Sequence, residues 1–192
     1  MKTIIGTGLD RLDHTGLWFG LLSLRLLLGW DFFESGLEKF QGENWFAEIA
    51  DKFPFPFDVV PVSFSWQIST WFELIGAIAL VIGLGTRFFA TSLFILTIVA
   101  IASVHWPESW STLAELAQGY VFTDQGHGNF KLPVLFLGML LPLMLMGPGR
   151  LSLDAVIRSR LTEKLLRSRR PADHRDRGVA HVQLSVLRKS VE

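Results

Sequence analysis

The sequence predicts an all-α integral membrane protein: a four-helix bundle followed by a cytoplasmic amphipathic helix. Three observations carry this. Four apolar stretches near membrane-spanning length occupy the first 149 of 192 positions, and the aromatic residues lie in that part too. Only seven of the 18 Lys and Arg residues fall there, while 11 lie between Arg150 and Lys189. A net charge of zero therefore averages an apolar front with a basic tail. This distribution disfavours a soluble globular domain and a nucleic-acid-binding one, which would place its basic face on a folded polar surface. The absence of cysteine removes disulfides, thiolate chemistry, zinc ribbons and cysteine-ligated iron–sulfur clusters.

A bilayer core needs about 20 mostly apolar helical residues. Leu17 to Phe33 is apolar except for Arg25 and Asp31. A buried soluble helix would read the same way, but three stronger stretches beside it favour a span. No small-residue cleavage site follows, which argues against a cleaved signal peptide. Trp66 to Gly85 is 20 residues with one charge, Glu73, and Phe88 to Val104 is 17 residues with none. Leu132 to Gly149 is 18 uncharged residues with Pro142 in its middle, where the missing N–H should kink or open the helix. The expected organisation is an N-terminal segment 1–15, a four-span bundle 16–149, an interfacial helix 150–170 and a polar tail 171–192.

Lys and Arg near the spans set the orientation. Lys2 and Arg11 precede span one, Arg87 sits in the turn between spans two and three, and Arg150 follows span four. The two longer connections are mildly acidic. Both termini are thus expected in the cytoplasm, with the long loops outside. Phe53-Pro-Phe-Pro-Phe57, Trp66, Trp106, Trp110 and Tyr120 place aromatics at the outer interface, where anchoring is the plainer reading and ligand binding the sharper one.

An ionisable residue at bilayer depth costs a few kcal/mol or more unless partnered, so Arg25 and Glu73 stand out. Arg25, Gly29, Phe32, Gly36 and Lys39 share one face of span one; Glu73, Gly76, Leu80 and Gly83 share one face of span two. Glycines let membrane helices approach, so both charged stripes should face the bundle interior. At ~1.5 Å per residue, Glu73 lies roughly 10 Å below the outer surface, Lys39 near it and Arg25 roughly 20 Å down. The spacing leaves open whether Glu73 meets Arg25 or Lys39. A charge pair that only fixes register is one reading. The other is a polar pocket for a quinone, an anion or a proton, with His105 at the end of span three suited to proton transfer.

Asp31, Glu34 and Glu38 form an acidic series expected largely on the side away from Arg25, for the loop or another subunit. With His105 and His127 they match no metal spacing, so no metal site is expected. Gly147-Pro-Gly-Arg-Leu-Ser-Leu-Asp154 ends span four and caps a new helix through Ser152 and Asp154. That helix, Leu153 to Arg170, sets Val156, Ile157, Leu161, Leu165 and Leu166 against Arg158, Arg160, Lys164 and Arg167, the pattern of a helix on an anionic leaflet. Beyond Pro171, Val182 to Val186 suits a short strand with a partner.

Taken in order, Arg25-Leu-Leu-Leu-Gly29, Gly36 with Lys39, Glu73 with Gly76, Gly83-Leu-Gly-Thr-Arg87 and the 147–154 motif resemble the DoxX family of small four-helix bacterial membrane proteins, over roughly residues 17–154. Ala100-Ile-Ala-Ser-Val-His-Trp-Pro107 and Gly128-Asn-Phe-Lys-Leu-Pro133 are similar to its HvfX-like branch, associated with maturation of copper-binding peptides. The resemblance implies a membrane subunit serving an oxidoreductase or a peptide-maturation system. It implies a quinone or small-anion site in the bacterial inner membrane lined by Arg25, Lys39 and Glu73; by position and chemistry, Glu73 and His105 are the catalytic candidates. The lack of cysteine sets a thiol-carrying role against that expectation.

Two other classes compete: a non-catalytic anchor or assembly factor whose basic tail recruits soluble or membrane partners, and a small transporter. The latter would need a homodimer to form a pathway, with Asp31, Glu34 and Glu38 as its contact.

Overall fold

The computed structural model describes residues 2–168, and these are all-helical, with no strand among them. Helix α1 runs from Lys2 to Gln41 without interruption, 40 residues or about 60 Å at ~1.5 Å per residue. The expected segment 1–15 is therefore continuous with the first apolar stretch. After α1 the chain makes 3₁₀ turns at Trp45–Lys52 and Phe57–Val59, the first capped by Asn44, whose side chain accepts from Phe46 N–H at 3.1 Å.

Helix α2, Val62–Ile82, starts after Pro61 and ends at Gly83, whose φ of 70° lets its N–H reach Leu80 O while Leu84 N–H reaches Ala79 O. Gly85, at φ 57°, turns the chain straight into α3, Thr86–Ala100. The last turn of this helix widens into a π segment, Ile101–His105. It stops at Trp106, held extended by the Pro107 that follows. Short helix α4, Leu113–Gln118, is capped by Thr112 while Glu115 reaches back to Ser111 N–H.

Helix α5, Lys131–Met146, passes through Pro142 and ends three residues short of the expected span. Gly147, at φ 86°, and Pro148 stop it. Helix α6 covers Leu153–Ser168. Arg169, Arg170, the tail and the expected strand at 182–186 lie outside the described residues.

Two helical stretches, Val62–Ile82 and Thr86–His105, are long and apolar enough to cross a membrane; α5 is apolar but only 16 residues long. α1 packs on α2 and α5, and α3 packs on α2 and α5. Leu28, Leu80, Ala90, Leu93, Leu140 and Leu143 fill the shared interior, and Phe32 meets Phe136 at 5.4 Å. The α1–α2 contact rests on glycine: a Cβ at Gly29 would fall 3.2 Å from Ala77 O, and one at Gly36 3.0 Å from Leu74 N. Outward faces are apolar as well, with Trp30, Phe40, Trp71, Ile75 and Ile78 exposed.

The chain divides into two compact units after Ala155. The first holds α1 to α5 and the start of α6; the described part of the second is the rest of α6.

Candidate functional site

The predicted charges separate into two places. Arg25, only 1% exposed, directs four N–H bonds at backbone carbonyls. Its Nε donates to Leu80 O at 2.6 Å, Nη2 to Val81 O at 2.7 Å, and Nη1 to Pro148 O at 3.0 Å and Leu151 O at 2.6 Å. Two of these carbonyls end α2, where unpaired C=O groups and the negative end of the helix dipole favour a cation. Gly83 allows the approach, since a Cβ there would sit 2.6 Å from Nη2.

Beside Arg25, Asp154 accepts from Gly85 N–H at 2.9 Å and Thr86 N–H at 3.0 Å, capping α3, while its own N–H donates to Gly83 O. Ser152 caps α6 by accepting from Ala155 N–H. Arg87 donates to Leu145 O at 3.1 Å. This end of the molecule is a backbone lock.

The second place is a cavity of about 880 Å³ lined by α1, α2, α3, α5 and the long connections. Here Lys39 answers Glu73, with Nζ 2.7 Å from Oε2 and 3.0 Å from Oε1, and a third bond to Ser35 at 2.9 Å. The ammonium spends its three donors on three acceptors. Both side chains are largely removed from solvent, 14% and 4% exposed.

His105 lines the same cavity, with Nδ1 2.7 Å from Asn129 Oδ1. Asn129 N–H also donates to His105 O at 3.1 Å. Gly128, at φ 82°, passes so close to His105 O that a Cβ would collide with it, and Asp124 holds this loop through Gly126 N–H and Gly128 N–H. The π segment ends at His105 and buries Ser103, which also lines the cavity. π segments recur at functional sites because the added residue re-aims neighbouring side chains.

The structure thus brings Lys39, Glu73 and His105 to one cavity and leaves Arg25 out of it. The expectation that Arg25 shares the ligand site does not match this geometry, because four carbonyls occupy its guanidinium. The acidic series Asp31, Glu34 and Glu38, expected largely on the side of α1 away from Arg25, lines the cavity from which Arg25 is absent.

The Phe–Pro segment divides. Phe53 is buried with Phe46 and Trp66 in a cluster that lines the cavity, and Phe55 is 82% exposed. Phe46 meets Trp66 at 5.0 Å and Phe53 at 5.2 Å. Outside the helices, Lys52 and Glu108 join the two long connections at 2.8 Å. That hydrogen-bonded pairing pushes Lys52 above the ordinary lysine range and Glu108 below the ordinary carboxylate range. Among the described residues no cluster of His, Asp and Glu is arranged to hold a metal.

The DoxX family profile matches residues 20–106. An uncharacterized protein of Haemophilus influenzae is 43% identical over 148 residues, 77% of this chain and 89% of the relative. The chain belongs to the DoxX family. Family membership and two helices of membrane-crossing length make it a membrane protein. No solved structure matches it. The segments that carried the DoxX resemblance divide between the two places: Arg25, the glycine turn at 83–85 and the 147–154 motif build the lock, while Lys39 and Glu73 line the cavity and Gly36 lets their two helices approach. Asn129 and Ser35 were not singled out as site residues. The Gly128-Asn129 pair was visible as a motif, but its partner His105 is 24 residues away and only the fold joins them.

Proposed function

We propose that this DoxX-family chain is a four-span inner-membrane bundle, formed by α1, α2, α3 with its π segment, and α5, with both termini in the cytoplasm. Its cavity binds a quinone-like or small anionic ligand for an oxidoreductase or a peptide-maturation system. The observation that carries this reading is the Lys39–Glu73 ion pair, buried in the wall of an aromatic-lined cavity that also contains His105. A buried pair is costly to desolvate and weak as a source of stability, so its placement against open space favours function.

In this reading Lys39 supplies positive potential and, by giving up one of its two bonds to Glu73, a donor to a ligand oxygen, while Glu73 exchanges the proton or the partner. Asn129 orients His105: with Nδ1–H donated to Oδ1, Nε2 is left as a base. The exposed apolar side chains on the outer faces of the bundle support the membrane placement. The two segments similar to the HvfX-like branch meet at His105 and Asn129; the peptide-maturation setting rests on that similarity alone.

The test is mass spectrometry of small molecules co-purified with wild type and with Glu73→Gln in mild detergent. A ligand present in the first and lost from the second supports the site; equal retention in both overturns it.

One observation favours a second reading, an anchor that recruits partners. α6 carries Arg158, Arg160 and Lys164 beside exposed Val156, Ile157 and Leu161, and most of it belongs to a separate unit. Under that reading, deleting residues 171–192 abolishes partner recruitment and Glu73→Gln has no effect.

A further inference from the structure

The cavity is exposed along two edges of opposite character. On one, Phe64, Ile68 and Phe72 follow each other at four-residue spacing along α2, facing Ile95, Leu96 and Val99 of α3. Phe64 is 57%, Ile68 40% and Ile95 48% exposed, so these side chains both line the cavity and form part of the outer surface. A residue with both properties marks a mouth. Deeper in the bundle the two helices close together, with Gly76 packed on Leu93. Towards the other end, the Phe46–Phe53–Trp66 cluster packs against Val62 of α2 and Val99 of α3. The mouth lies between these contacts and is largely apolar; the Ser92 hydroxyl of α3 donates to Phe88 O within its own helix.

The other edge belongs to α1. Asp31, Glu34 and Glu38 follow the helical rhythm along the cavity wall, with Glu43 beyond them. Counting Glu73, five carboxylates line the cavity against one lysine, whose donors are already used. Such a wall repels an anion at any ionic strength that leaves charges unscreened over the cavity's width. A water-borne anion therefore meets like charge at one edge and an apolar barrier at the other.

Resting on the cavity reading above, we propose that the ligand is an uncharged amphiphile dissolved in the bilayer, which enters sideways through the α2–α3 seam. Its apolar tail lies along Phe64, Ile68 and Ile95, and its polar head reaches Lys39 and Glu73. The acidic edge is left for water and protons. This removes the small anion from the candidate ligands and gives the two edges different tasks.

The chain has no cysteine, so single cysteines can be labelled without background. Ile68→Cys, Ile95→Cys and Glu34→Cys, all at exposed positions, would be reconstituted as full-length protein in liposomes and modified with a bulky maleimide. Decylubiquinone serves as the membrane-dissolved probe and naphthoquinone sulfonate as the water-borne anion. Uptake is read as saturable quenching of tryptophan fluorescence, since Trp45 and Trp66 line the cavity.

Modification at Ile68 or Ile95 is expected to slow decylubiquinone uptake at least tenfold, modification at Glu34 to change it less than twofold, and the sulfonate to give no saturable quenching. Each modified variant is compared with the same variant left unmodified, which separates a blocked mouth from a damaged fold. Rapid uptake with the seam modified, or saturable quenching by the sulfonate, overturns the route while leaving the site. No saturable quenching of wild type by either probe overturns the site as well.

Discussion

Replacing Arg25 should damage the fold and spare the ligand site. In Arg25→Met, the four carbonyls of Leu80, Val81, Pro148 and Leu151 lose their shared donor. Leu80 O keeps a bond from Gly83 N–H, so it is not orphaned. Bonds to a charged donor contribute about 1.5–3 kcal/mol each, and an orphaned buried carbonyl costs about 1–3 kcal/mol. The four share one guanidinium and do not add, so a net loss of about 3–5 kcal/mol is expected.

At roughly 2–4 °C per kcal/mol for a chain of this size, that lowers Tm by roughly 6–20 °C. Arg25→Lys keeps the charge, but a single ammonium cannot reach four carbonyls fanned across two segments, so it should restore only part of the loss. Thermal unfolding in detergent measures both variants, and ligand occupancy per folded molecule is measured alongside. An Arg25→Met protein with Tm within 2 °C of wild type and an empty cavity would refute the reasoning and return Arg25 to the ligand site.

Gly36→Ala should lower Tm by several degrees and loosen the Lys39–Glu73 pair. The added carbon falls 3.0 Å from Leu74 N and from Glu73 Cβ, so α1 and α2 must part, an overpacking cost of about 1–3 kcal/mol. Asp154→Ala removes the acceptor for Gly85 and Thr86 N–H and the negative charge at the start of α3. A loss of about 1–2 kcal/mol is expected in the same melt, with Asp154→Asn intermediate.

The Lys52–Glu108 pair gives a pH signature. Glu108 is held below its ordinary value of 4.5, so its contribution is complete only above that value and is lost as pH falls through its lowered pKa; Lys52 is held above its ordinary 10.5, so its contribution is lost only as pH rises beyond that. Spin labels on Asp51→Cys and Ser109→Cys should show a distance distribution that broadens below about pH 4 and is constant from pH 5 to 9. The same broadening at pH 7 would mean that the pair does not hold the loops together.

The helices were legible because apolar length and glycine or proline stops are local signals. The turn between the second and third spans was expected at 86–87 and falls at Gly83–Gly85, and the stop at Gly147-Pro148 ends α5 three residues before the expected end of the fourth span. The glycine stripes predicted the α1–α2 contact for the same reason, since small residues at Gly29 and Gly36 serve close approach and little else. Pairing of the charges was not legible. Lys39 and Arg25 share a face of α1 at different heights, and what decides between them is the 147–154 segment, which folds back over the end of α2 and supplies Arg25 with carbonyls. No periodicity reports on a carbonyl 123 residues away. The π segment was hidden likewise: Ile101 to His105 reads as ordinary apolar helix, and the loop carrying Asn129 joins it only in the fold. The acidic series was placed opposite Arg25 by angle alone, and a cavity wide enough to reach around α1 takes in Asp31, Glu34 and Glu38.

These placements change what the family motif means. A buried arginine beside a buried glutamate on glycine-lined helices invites the reading of a single charged site. The structure instead assigns the arginine to the ends of α2 and α5, where its partners are backbone atoms present in any sequence that folds this way. Such a residue preserves the fold and says nothing about the ligand. Lys39, Glu73, His105 and Asn129 are different, because their partners are side chains and each meets open space. Chemical variation within the DoxX fold should therefore concentrate in the α1, α2 and α3 ends around that cavity, with the lock at 25, 83–85 and 147–154 constant beneath it. A relative that keeps the lock but replaces Lys39 and Glu73 with apolar residues would keep the bundle and lose the ligand.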